Sequence, residues 1–170
     1  MIKKATINEP LIHIQSLDYK NSELTVEERV ADLLARMTLE EKVAQMLCIW
    51  GLKHTMFLDD QGNLDLNKLK ENLPNGIGQI GRLSDTYNGL LPSEMAEMAN
   101  ALQRFFVEET RLGIPVIFHE ECLHGLAAKD STSYPQPIGL ASTFNPDLIE
   151  KIYSAVAKDA RMRGAHQVQR

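Results

Sequence analysis

The chain has 170 residues, a formal net charge of −5 with acids and bases interspersed, and two cysteines. That length suits one domain or a piece of one. The absence of a basic stripe argues against a nucleic-acid partner, and two cysteines make no disulfide framework. No stretch approaches the roughly 20 apolar residues of a membrane span, so no membrane partner is expected. The opening MIKKATINEPLIHIQSLDYKNSE lacks the apolar core and cleavage site of a secretory signal, so the chain by itself points to the cytoplasm.

Residues 1–23 show neither strict alternation nor a helical stripe and read as an N-terminal arm, with one domain over 24–170. At Thr25 a cap with Glu28 three residues on precedes Val30, Leu33, Leu34 and Met37 at helical spacing. Thr38 with Glu41 repeats that signal before Val43, Ala44, Met46 and Leu47, so two short helices broken near Met37 are expected. LCIWG (47–51) is a short apolar run, strand or helix end. The polar stretch after Asp59 reads as a loop with at most a turn or two of helix. GIGQIGRL (76–83) reads as a strand whose glycines admit close backbone approach.

After a loop, SDTYNGLLP, the recurrence of Met95, Met98, Ala99, Leu102, Phe105 and Phe106 predicts a helix from Ser93 that ends near Gly113. IPVIF (114–118) follows as a buried strand with Pro115 at its start. PIGLAST is a weak strand candidate. The stretch FNPDLIEKIYSAVAKDARMRGA predicts a helix capped by Asn145, with Pro146 at its first position and Gly164 as its stop; AHQV opens a further strand. This order argues for an α/β architecture of parallel strands covered by helices.

The chemistry-bearing residues gather in HEECLHG (119–125). A zincin helix needs two histidines one turn apart, whereas His119 and His124 are five apart behind a strand-like run, so that metal site fails on spacing. A looser metal site from Glu121, Cys122 and His124 stays open, as does a Cys122–His124 nucleophile and base, although no orienting third group is evident. Glu120 and Glu121, adjacent on an extended segment, point to opposite faces and cannot clamp one sugar at the separation of about 5–5.5 Å that a retaining glycosidase uses. One carboxylate at the end of a parallel strand, however, lies where ligand groups collect. Alternatively, Glu121 caps a turn or neutralises Arg82 or Arg111. Trp50 reads as core rather than as an aromatic wall.

MTLEEKVAQM (37–46), RLGIPVIFHEECLHG (111–125), YPQPIGLASTFNPDLIEKI (134–152) and DARMRGAHQV (159–168) stand in the order that resembles glycoside hydrolase family 3. The resemblance covers roughly residues 20–168. It implies the N-terminal part of a (β/α)8 TIM-type barrel with preceding helices, and an exo-acting retaining β-glycosidase without metal or organic cofactor. It places Glu121 on hydroxyls of the non-reducing sugar of a β-linked glucoside or xyloside, with His124 as a sugar contact or loop support. Many family members have Asp at the position of Glu121, and the longer side chain reaches toward a hexose hydroxymethyl group, so a preference for pentose follows. A periplasmic or secreted location is also compatible with the family.

A complete barrel needs about 250 residues. The family's aspartate nucleophile, its acid/base residue and an Arg-Asp-Pro-Arg-Trp-Gly-Arg segment have no counterpart in these residues, and Gln169 and Arg170 depart from the strand expected after AHQV. The expectation is therefore a truncated chain without catalytic residues, inactive alone. The alternative is a noncatalytic sugar-binding or assembly module. Half a barrel would expose two sheet edges, which favours self-association.

Overall fold

A computed structural model describes residues 19–169; residues 1–18 of the expected arm, and Arg170, lie outside them. The described residues divide into two compact units, one ending at Thr38 and the other starting at Leu39. In the first, helix α1 (Val26–Arg36) starts from the capping box read in the sequence: Thr25 Oγ1 accepts from Glu28 N, and Glu28 returns a carboxylate oxygen to Thr25 N at 3.0 Å. Asp32 joins that helix to the preceding turn by accepting from Tyr19 N and from Arg36 Nε, each at 2.9 Å.

The second unit runs α2 (Leu39–Gln45), β1 (Cys48–Ile49), α3 (Lys53–Phe57), α4 (Leu66–Asn72), β2 (Gln79–Gly81), α5 (Pro92–Glu109), β3 (Ile117–Glu121), α6 (Pro137–Ala141), α7 (Pro146–Met162) and β4 (Gln167–Gln169). All neighbouring strands pair in parallel, in the order β1-β2-β3-β4. Sequential parallel order with helical crossovers is the arrangement of consecutive strands in a (β/α)8 barrel. Among the described residues the sheet remains open.

Register explains why the two faces differ. Ile49, Ile80 and Phe118 lie side by side across β1, β2 and β3 and pack with Met95, Leu102 and Phe106 of α5 and with Phe57 and Leu69 of α3 and α4. The opposite face carries Cys48, Gln79 and Ile117 in one row and Gly81, His119 and Gln167 in the next. Ile117 is 44 % exposed there, so the strand expected to be buried is open at that position, although His119 on the same face is buried. That strand also begins later than IPVIF and runs on through Glu121.

Close approach accounts for two glycines. A Cβ on Gly78 would overlap Gln45 O, and one on Gly81 would stand 2.6 Å from His119 Nε2. Bulkier residues at either place would push α2 or His119 out of position.

Several expectations need correction. PIGLA is helix α6, not a strand: Pro137 fits the first helical position, and Ser142 N returns to Ile138 O. Helix α5 ends at Glu109, four residues before Gly113, where Thr110 turns extended and its hydroxyl donates to Phe106 O at 2.5 Å. Helix α3 was not expected at all. Gln169 lies inside β4. Trp50, expected in the core, is 47 % exposed just after β1.

Candidate functional site

The carboxyl ends of β1, β2 and β3 share one edge of the sheet, and buried charges tie their loops down. Lys53, the first residue of α3, is 6 % exposed. Its ammonium donates to three carbonyls, Trp50 O at 2.9 Å, Arg82 O at 3.0 Å and Gly81 O at 3.1 Å, and to Asp85 Oδ1 at 2.6 Å. One side chain thus joins the end of β1 to the end of β2. Arg82, held at φ 49°, also leans on Asp85 through Nε at 3.6 Å. A buried ammonium is tolerated only with such a set of acceptors.

Glu120 forms the second tie. It projects from β3 to the helical side, fully buried, and accepts from Ser84 N at 2.9 Å and from Ser84 Oγ at 2.6 Å. Burial pushes this carboxyl above the usual carboxylate range, while the Ser84 bonds and Arg82 pull the other way. The third tie is Arg163, at the end of α7. Its guanidinium, 3 % exposed, pairs with Asp159 and donates to Lys129 O at 2.7 Å and to Asp130 O, holding the loop after β3.

Between these ties lies the stretch on which the sequence reading centred. His119 and Glu121, two residues apart on β3, share the face away from the helices. Burial holds the His119 imidazole below its ordinary value, with Glu121 drawing it up and Lys53 pressing it down. His119 Nδ1 is buried without a hydrogen-bond partner among the described residues. Glu121 is half-buried at the end of the strand, facing oppositely to its buried neighbour Glu120, as the alternation of an extended segment requires. The two cations weighed as its partners are engaged elsewhere: Arg111 makes a bidentate pair with Glu41, and Arg82 leans on Asp85.

His124 is half-buried in the following loop, where its carbonyl accepts from Tyr134 N at 2.7 Å. Gly125 at φ 97° lets Thr132 and Tyr134 close over that turn. Cys122 is buried and forms no disulfide, the commoner state of such a residue. No group of three metal-ligating side chains occurs among the described residues, and no described helix is long and apolar enough to cross a membrane. Lys53, Asp85 and Ser84 complete a site that the sequence marked only at its β3 end. Each acts across a gap in sequence, as with Lys53 and Asp85, 32 residues apart.

Replacing Lys53 by Met should lower stability by about 2–4 kcal/mol, because it takes the ammonium away from three carbonyls and a carboxylate; urea unfolding reads this, and a loss under about 1 kcal/mol would mean that other contacts hold the loops. For Glu120 the sign is fixed by its raised pKa: its contribution is whole below the unfolded value and fades as pH rises through the folded one. Wild type should therefore lose stability relative to Glu120→Gln on going from about pH 4 to pH 8, in unfolding curves measured side by side. A relative gain would contradict the burial argument.

Residues 38–168 match the model of the Glycosyl hydrolase family 3 N terminal domain. A Formosa agariphila protein that bears the name of a beta-xylosidase is 41 % identical over 155 residues, covering 91 % of this chain and 20 % of that protein. Beta-glucosidase C of Emericella nidulans is 32 % identical over 154 residues, covering 83 % of this chain and 23 % of its own length. A solved b-glucosidase structure from Erythrobacter marinus superposes with a TM-score of 0.72 at 33 % identity, covering 91 % of this chain and 20 % of that one. The chain thus spans about a fifth of the length of the relatives it matches, and its open parallel sheet corresponds to the N-terminal part of their barrel. With the motifs, the strand order and these matches in agreement, the chain belongs to glycosyl hydrolase family 3.

Proposed function

We propose that this chain supplies the N-terminal, sugar-holding part of the barrel of an exo-acting, retaining β-glycosidase that hydrolyses O-glycosyl bonds of β-xylosides or β-glucosides. One observation carries the reading. Glu121 ends β3 half-buried on the face away from the helices, beside His119 and above loops fixed by Lys53 and Glu120. A carboxyl group there accepts hydrogen bonds from two sugar hydroxyls. Such bonds speed cleavage when they tighten as the ring flattens toward the oxocarbenium-like transition state.

In this reading Glu121 positions and does not attack. The nucleophile and the acid/base belong to segments other than those described, and His124 shapes the loop beyond the carboxylate. No metal enters such a mechanism, which proceeds through two carboxyl groups. A second reading, a noncatalytic module that binds sugar or assembles through its sheet edges, draws support from the outer edges of β1 and β4, each of which pairs on one side only among the described residues.

Titrating the chain with xylose and glucose by NMR tests the reading. Glu121→Gln should weaken binding by about ten- to a hundredfold, the equivalent of one lost charge-assisted hydrogen bond. Xylose should bind more tightly than glucose, and Glu121→Asp should narrow that gap by making room for the hydroxymethyl group. The chain alone should release no aglycone from an aryl β-xyloside or an aryl β-glucoside. Unchanged affinity in Glu121→Gln, or turnover by the chain alone, would overturn this division of roles.

A further inference from the structure

The face of β3 turned away from the helices carries a buried group that the proposed sugar contact does not use. His119 is 4 % exposed, lies on that face two residues before Glu121, and stands in register between Gly81 of β2 and Gln167 of β4. We propose that His119 is a positioning residue for Glu121: as a neutral ring it leaves the Glu121 carboxyl group open to a ligand, and on taking up a proton it draws that group onto itself. This deepens the reading of Glu121 as the holder of the sugar and, for its effect on binding, rests on it.

The ring sits in a prepared place. A Cβ on Gly81 would stand 2.6 Å from His119 Nε2 and 3.0 Å from its Cε1, so the imidazole lies over β2 where a larger residue would displace it. The backbone on that side is fixed. The His119 carbonyl accepts from Arg82 N at 2.8 Å, and Lys53 holds Gly81 O at 3.1 Å and Arg82 O at 3.0 Å. A ring packed this closely keeps one place from which to meet its neighbour on the strand.

Within that place, Nδ1 is buried and has no hydrogen-bond partner among the described residues. A neutral ring can leave this nitrogen as a bare acceptor, whereas a protonated ring turns both nitrogens into donors, and a buried donor calls for an acceptor. The charged groups on the surrounding elements narrow the choice. Burial, the strongest influence, keeps the ring neutral at about pH 7; Glu121 of β3 attracts the proton and Lys53 of α3 repels it. Asp85, in the turn after β2, already takes Lys53 and Arg82. Glu120 is turned to the helical side and held by Ser84, and β4 places the uncharged Gln167 beside His119. Glu121 is the acceptor that remains.

Ring and sugar then compete for the same oxygens. Because the two equilibria are linked, a sugar on Glu121 and a proton on His119 each weaken the other by the same factor. Coupled groups also leave their mark on each other's titration, which a ring with only a packing role does not do.

The test is an NMR titration of the 170-residue chain from about pH 8 to about pH 4, following the His119 ring and the carboxyl carbon of Glu121. The Glu121 carbon should shift at the His119 midpoint, and Glu121→Gln should lower that midpoint by about one pH unit, a tenfold coupling. In His119→Asn the shift of the Glu121 carbon over that range should vanish. Xylose affinity should fall about tenfold in wild type as His119 takes up its proton, and should hold steady over the same range in His119→Asn. A His119 midpoint unmoved by Glu121→Gln, a variant that keeps His119 and its packing, would overturn the proposal, as would a Glu121 carbon indifferent to the ring. Failure of the Glu121 reading shows separately, as xylose binding absent at about pH 8 while the two groups still titrate together.

Discussion

Charged groups buried at the carboxyl edge of the sheet and answered by backbone set the shape of everything above them. Lys53 gives its ammonium to the carbonyls of Trp50, Gly81 and Arg82, Glu120 takes the amide and hydroxyl of Ser84, and Arg163 reaches Lys129 and Asp130. An apolar side chain of similar size would fill the same space but would leave these peptide groups without partners, at a cost comparable to that of burying the charge. Backbone partners also fix position, because a carbonyl held by an ammonium cannot drift without breaking a charge-assisted bond.

Placement of the groups at the end of β3 follows. The alternation of β3 sends Phe118 and Glu120 toward the helices and His119 and Glu121 away from them. Adjacent glutamates thereby acquire opposite tasks, one anchoring a loop from below and the other remaining open at the strand end. Gly81 completes the arrangement by leaving room for the His119 ring, which no residue with a Cβ would do. Family membership gives this geometry its context, since the open sheet corresponds to the first part of a barrel whose remaining strands would face Glu121.

What could be read from the amino-acid order divides along physical lines. Helices α5 and α7 were visible because their apolar residues repeat every three or four positions, and the start of α7 carries the Asn145–Pro146 pair, whereas Pro92, read as the end of a loop, is the first residue of α5. The capping box at Thr25 is local chemistry and was equally plain. Helix α6 was missed because PIGLA is too short for periodicity to act on, and the end of α5 because Gly113 outweighed the Thr110 hydroxyl that turns the chain earlier. Glu121 was legible as a strand-end acid. Its supports were not: Lys53 and Asp85, or Ser84 and Glu120, meet only through the parallel pairing of distant strands, and nothing in KHT or LSD advertises a partner more than thirty residues away.

The grip of Glu120 on Ser84 is the most exposed part of this account to a direct measurement. Amide hydrogen exchange of the chain should find the Ser84 N–H strongly protected, although it belongs to a loop, while Asn88 a few residues on exchanges freely. In Glu120→Ala the Ser84 amide should exchange as fast as Asn88 does. Ser84 exchanging at the Asn88 rate in the wild-type chain would contradict the claim that buried charge holds the edge of the sheet in place.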